Sequence, residues 1–301
     1  MSFRFSSKSW VIYNVNTSQI IYGKKHHQPR EIASLTKIMT CYVSILLAKR
    51  MNFNLAEISA KISRDAAFMN GTSANLKEGD HLKLLDLLYA LMLPSGNDAA
   101  YALAENFGFL LFLEATNRVK LEEIISNKSI NIGSEMSSIS DSVRYFLNEM
   151  NKVAKDHRLY NTQFANPHGL MNRFNKSTAS DVAKLSCITL KNPLFLQIVN
   201  TKTYECYIKN FRINNVRRDV WINTNKLLEK GFTGVKTGVT DAAGPCLTTS
   251  LKVNKKDKSD YWVVCVILNC RSMEKRWTEC QDLLTWGIKE LILHDSILEK
   301  Q

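Results

Sequence analysis

From Ser34 to Lys49 the chain reads Ser-Leu-Thr-Lys-Ile-Met-Thr-Cys-Tyr-Val-Ser-Ile-Leu-Leu-Ala-Lys, apolar on nearly every face of a helix. That pattern predicts a helix buried in the middle of a domain. A second helical pattern, Leu82 to Leu93, is closed by Pro94, and a third starts at Asp98 with Asp-Ala-Ala-Tyr-Ala-Leu-Ala-Glu. Strand patterns flank this helical middle. Trp10–Asn14 and Gln19–Tyr22 read as a hairpin, and β patterns return from Gly231 to Asn269 before an amphipathic helix over about Met273–Leu293. Thr178-x-x-Asp181 reads as a capping box that opens a helix.

The order of these patterns predicts an α/β chain of the α+β type. Its first and last parts build one antiparallel sheet flanked by helices, and the middle forms a helical lobe with a cleft between the two. The 301 residues form one domain, with a sheet lobe of about 1–60 and 223–301 and a helical lobe of about 61–222.

Composition narrows the function classes. No apolar run reaches membrane-spanning length. The net charge of +12 comes from scattered lysines with small clusters such as Lys24-Lys25-His26-His27, so no nucleic-acid partner is expected. The count of seven cysteines is odd and no C-x-x-C pair occurs; buried free thiols in a reducing compartment, cytoplasmic by default, are expected. The six histidines lack zinc-ligand spacing, and no metal or cofactor is expected. No G-x-S-x-G elbow is present, which weighs against an α/β-hydrolase. His168 follows a proline and reads as a loop-fixing hydrogen bonder.

The chemistry lies in three short motifs. Ser34 and Lys37 share one helix face at a spacing of one turn, with Ser34 at the helix start, where free amides favour a developing anion. Ser272 and Lys275 have the same spacing, but they stand in a charged run and read as surface. Ser95-Gly96-Asn97 is a tight connector between apolar helices, where Gly96 permits close backbone approach and Asn97 or Asp98, Asp98 by preference, is the expected N-cap. Ser73/Asn75 and Ser129/Asn131 repeat the Ser-x-Asn pattern in ordinary loops. Lys236-Thr237-Gly238 occurs once, in a β-branched stretch that reads as an edge strand beside which a peptide could lie. Together the motifs suit acyl transfer by a serine with lysine as its base.

In this order the motifs resemble those of the D-alanyl-D-alanine carboxypeptidases, the low-molecular-weight penicillin-binding proteins of serine peptidase family S11. Arg30–Thr40, Leu93–Ala100, Asn166-Pro-His-Gly-Leu170, Ser177-Thr-Ala-x-Asp181 and Asn223-Thr-Asn-x-Leu-Leu228 are similar to family stretches in family order, and the likeness runs from about Trp10 to Leu293. Four features depart from the family. Met1–Trp10 has no apolar signal core, and the chain stops soon after its terminal helix. The serine-rich stretch of about 116–141 looks like a surface insertion, and Thr201–Trp221 also looks extended.

The resemblance implies the penicillin-binding-protein fold and an acyl-enzyme on Ser34, with Lys37 as base and Ser95 as proton relay to the leaving D-alanine. It implies that Asn97 holds the acyl part, that Lys236, Thr237 and the Gly238–Val239 edge bind substrate, and that the amides of Ser34 and Val239 form an oxyanion hole. The implied partners are a peptide ending in D-Ala-D-Ala and β-lactams as covalent inhibitors. A free lysine titrates near 10.4. Burial and a second ammonium at about 5 Å, worth roughly 3 kcal/mol at an effective dielectric of about 20, could bring Lys37 into working range. A β-lactamase-like hydrolase and a catalytically silent binder remain the alternatives, although no convincing deacylating glutamate follows Asn97.

Overall fold

The computed structural model describes residues 5–118, 120–130, 139–254 and 260–298. The elements run β1 (Ser9–Asn14), β2 (Gln19–Lys24), α1 (Lys37–Arg50), β3 (Ser59–Lys61), α2 (Arg64–Ala67), β4 (Asp80–Lys83), α3 (Leu84–Met92) and α4 (Asn97–Ala115). They continue as α5 (Leu121–Asn127), β5 (Ser129–Ile130), α6 (Ile139–Asp156), α7 (Ala179–Leu190), α8 (Pro193–Asn200), β6 (Thr203–Asn210) and β7 (Asn215–Ile222). The chain closes with β8 (Thr233–Gly238), β9 (Cys246–Asn254), β10 (Asp260–Leu268) and α9 (Lys275–Leu298).

One five-stranded antiparallel sheet has the order β2-β1-β10-β9-β8. It joins the two ends of the chain through Val11 opposite Val266 and Trp10 opposite Ile267. Both faces are covered. Val11, Val264 and Val266 enter the main core with α1 and α7. Ile12, Val263, Cys265 and Ile267 pack under Cys280, Leu283 and Leu284 of α9. Burial on both sides explains why Tyr261–Leu268 reads as a continuous apolar run without alternation. β8 is an edge strand, as its sequence suggested.

The middle of the chain is not purely helical. A second five-stranded sheet, β5-β3-β4-β6-β7, lies within it. Three of its strands, β3, β4 and β5, have only two to four residues, too few to show a period of two. The stretch read as extended over 201–221 is the β6–β7 hairpin, and its alternation is masked by Arg217, Arg218 and Asp219. The expected surface insertion of 116–141 also carries structure. It holds α5 and then β5, which pairs parallel to β3, Ser59 opposite Ser129. Residues 131–138 of that stretch lie outside the described residues. All seven cysteines are free and buried. No single helix among the described residues is long and apolar enough to cross a membrane.

Candidate active site

Ser34 sits in a 3-10 turn, Ala33–Thr36, that runs into α1 at Lys37. The preceding Ala33 has φ +48°, a left-handed backbone that costs energy for alanine and is held by its surroundings. Gly169 is part of that restraint. Its own φ is +88°, and an added Cβ would lie 2.0 Å from the Ala33 carbonyl oxygen. The Asn166–Leu170 loop is in turn tied down by Asn166, which accepts from the Gly169 amide at 2.7 Å, and by Thr40, whose hydroxyl donates to the Pro167 carbonyl at 2.6 Å.

Lys37 is fully buried, and its Nζ lies 3.0 Å from Ser34 Oγ, 2.6 Å from Asn97 Oδ1 and 2.7 Å from the His168 carbonyl oxygen. Burial, and then the nearby Lys236 ammonium, hold Lys37 well below the ordinary lysine range; Asp98 opposes this. In the neutral amine the two carbonyl oxygens can only accept, so they take the two N–H groups. The remaining lone pair then faces the Ser34 hydroxyl, which donates to it.

His168 does not compete for that proton. Burial and the charge of Lys37 push its imidazole down to about 3, and its Nδ1 accepts from the Leu170 amide at 3.1 Å. It fixes the loop whose carbonyl holds Lys37.

Ser95 occupies the connector between α3 and α4 with φ +68°, another left-handed residue, and lines the same cavity as Ser34. Its Oγ is buried and makes no hydrogen bond among the described residues. A buried hydroxyl left unpaired costs energy, which marks a site awaiting a partner. Asn97 begins α4; its Nδ2 donates to the Asn70 carbonyl at 2.6 Å and keeps one N–H to offer. Asp98 is not the expected N-cap, a role that falls to Gly96. Its carboxylate instead accepts from the amides of Ala74 and Leu76 and the hydroxyl of Ser73, pinning the loop that carries Thr72 to the cleft. The Thr178 cap is half a box: its hydroxyl accepts from the Asp181 amide, while the Asp181 carboxylate accepts from Asn161 and Thr162.

β8 closes the other side. Lys236 is buried, and burial together with the Arg276 charge lowers it to about 7. Thr237 Oγ1 meets Thr224 Oγ1 at 2.8 Å. Gly238 approaches so closely that an added Cβ would lie 2.8 Å from the Ser34 amide nitrogen. Ser34, Ser95, Asn97, Thr237, Gly238 and Val239 all line one cavity of about 430 Å³. Lys37 and Lys236 are buried next to these lining residues in sequence or by contact, whereas Ser272 and Ser73 are not among its lining residues. Half-exposed Val239 continues the open edge outward.

Of the lining residues that the sequence reading did not assign to the site, Arg276 is the charged one. Arg276 looked like part of a charged surface run, yet it is buried, donating to the carbonyls of Gly238 and Cys246 at 3.3 and 3.4 Å. Its Nε has no partner among the described residues, and its guanidinium lies over Trp277 at 4.5 Å. A signal was present: position 276 shares the helical stripe of Cys280, Leu283 and Leu284.

A serine hydroxyl 3.0 Å from a buried lysine amine, beside a cleft lined by Arg276 and an open strand edge, is an arrangement suited to serine acyl transfer. Residues 2–109 and 108–272 match the D-alanyl-D-alanine carboxypeptidase family, peptidase S11. The chain belongs to that family. It is 29% identical over 293 residues to D-alanyl-D-alanine carboxypeptidase DacF of Bacillus subtilis, covering 96% of this chain and 64% of the relative's length. It is 31% identical over 278 residues to the D-alanyl-D-alanine carboxypeptidase of Streptomyces sp. strain K15, covering 91% and 84%. The crystal structure of the Streptomyces K15 DD-transpeptidase superposes with a TM-score of 0.80 at 28% identity, covering 96% of this chain and 99% of that one. The D-alanyl-D-alanine carboxypeptidase DacD of Francisella tularensis superposes with a TM-score of 0.75 at 25% identity, covering 95% and 71%.

Proposed function

We propose that the chain hydrolyses peptides ending in D-Ala-D-Ala through an ester on Ser34. The observation that carries this reading is the pair of fixed acceptors on Lys37, Asn97 Oδ1 and the His168 carbonyl, which aim its lone pair at Ser34. Ser34 Oγ attacks the penultimate carbonyl carbon as its proton passes to Lys37 Nζ. The oxyanion lies between the amides of Ser34 and Val239. The C–N bond then breaks, and the leaving D-alanine amine takes its proton through Ser95. Water, deprotonated by the same lysine, cleaves the ester and restores Ser34.

Asn97 holds the acyl portion through its remaining N–H. Lys236, Thr237 and Arg276 receive the terminal carboxylate, whose charge favours the protonated form of Lys236. The described lining of the cleft contains no carboxylate. Water attack on a bulky penicilloyl ester would therefore have no glutamate base, which favours durable β-lactam adducts over β-lactamase turnover.

The test is release of the C-terminal residue from an N-acyl-D-Ala-D-Ala peptide, with D-Ala-L-Ala and C-terminally amidated peptides as controls, the products (D-alanine, L-alanine and D-alaninamide) being quantified by mass spectrometry. The proposal expects release from the first alone. Equal release from the amidated peptide contradicts the carboxylate assignment.

A further inference from the structure

β7 is an outer strand of the second sheet, eight residues long. Its pairing to β6 places Thr203 opposite Ile222, and the Asn223 amide donates to the Lys202 carbonyl at 2.8 Å. Alternation along an antiparallel ladder then turns the N–H and C=O of Val216, Arg218, Val220 and Ile222 away from β6. The side chains of these four residues are also exposed, with Ile222 at 68% and Val216 at 57%. An edge that offers its backbone and β-branched side chains together is a template for another strand.

Arginines on an edge ordinarily discourage such pairing, but here both are already paired within the chain, Arg217 with Asp80 at 2.6 Å and Asp219 at 2.9 Å and Arg218 with Glu205 at 2.7 Å. About a two-fold axis through Arg218, Val216 faces Val220 of a second copy and Arg217 faces Asp219 of that copy, in the closely spaced pairs of the ladder. Shifting by two residues on each strand places Arg217 opposite Asn215 or Asn223 instead. Asp219 already accepts from Arg217 Nε at 2.9 Å within one chain, so the two carboxylates and two guanidiniums would form a closed ring. On the exposed face the two Arg218 side chains meet, each held by its own Glu205 at 2.7 Å.

We infer that the outer edge of β7 is a self-association surface, on which two copies of this chain pair antiparallel about Arg218 into one continuous ten-stranded sheet. The partner is a second copy because about that axis each Arg217 faces an Asp219 and each Val216 a Val220, while the two Arg218 side chains are neutralised by their own Glu205.

The test combines sedimentation with cross-linking of the intact chain. The wild type should sediment as a species of twice the chain mass. Val220→Lys should shift it to the single-chain mass while the circular dichroism spectrum of the folded chain is unchanged. Val220→Pro should do the same, because it deletes an outward N–H that the single chain does not use. Arg218→Cys treated with oxidised glutathione should form a disulfide-linked dimer, since directly opposed residues of a hydrogen-bonded pair lie about 5.5 Å apart. Val220→Cys should not, because it lies about 14 Å along the strand from its own mate. A wild type that stays at single-chain mass, or a dimer that survives Val220→Pro or cross-links through Val220→Cys, overturns the inference.

Discussion

Gly238→Ala tests the claim that β8 and the nucleophile turn form one oxyanion site. The added methyl would lie 2.8 Å from the Ser34 amide nitrogen, 3.1 Å from Ala33 Cβ and 3.3 Å from the Ile32 carbonyl oxygen. Ordinary contact begins at 3.4 Å, so the Ser34 amide must retreat by about 0.6 Å (3.4 minus 2.8). Neither neighbour can yield cheaply: Ala33 is held at positive φ and is backed by Gly169. A donor aimed at an oxyanion loses most of its value when moved that far, and removal of one such donor costs about 10²- to 10³-fold, or roughly 3–4 kcal/mol in the transition state. The assay is the second-order rate of acylation by a fluorescent penicillin, with thermal unfolding measured alongside. Acylation should fall by about that factor, while melting reports only the smaller overpacking cost of about 1–3 kcal/mol. An acylation rate within a few fold of wild type would refute the placement of the Ser34 amide in the oxyanion hole.

Other outcomes follow from the same geometry. Lys37→Arg should lose acylation by about 10²- to 10⁴-fold, because a guanidinium cannot accept the serine proton; retention within tenfold would remove Lys37 as base. The kcat/KM profile should fall on the acid side as Lys37 protonates, and on the alkaline side as Lys236 discharges at about 7. Lys236→Arg should move the alkaline limb upward, and an unmoved limb would deny Lys236 its charge role. Glu105, buried in α4 with Ser63 donating to it at 2.8 Å, is raised by burial from 4.5 to about 8. The folded chain keeps that proton while the unfolded chain releases it, so stability present below about pH 4.5 is lost as pH rises to 8, by at most about 5 kcal/mol. Urea unfolding of Glu105→Gln should show a shallower loss between those pH values than wild type; parallel curves would place the raised group elsewhere.

The parts legible in sequence were those whose surroundings leave a local signature. The all-apolar α1, the Pro94 stop and the β-branched run around Lys236 each reflect burial or chain punctuation that a short window records. The second sheet left no such trace, because β3, β4 and β5 are short and gain their pairing from distant segments. Arg276 was hidden for a related reason: its charge argued for solvent, and only the helical stripe shared with Cys280 argued for burial. Asp98 was misread because a carboxylate at a helix start suits a cap. The structure spends it on the amides of a loop more than twenty residues away in sequence.

The most direct test of the account is to trap the acyl-enzyme with a β-lactam and map the adduct by mass spectrometry of tryptic fragments. The adduct should lie on Ser34 alone, persist for long times at neutral pH and vanish in Ser34→Ala without a change in melting temperature. An adduct on Ser95 or Ser272, or labelling that survives Ser34→Ala, would contradict the assignment of the nucleophile.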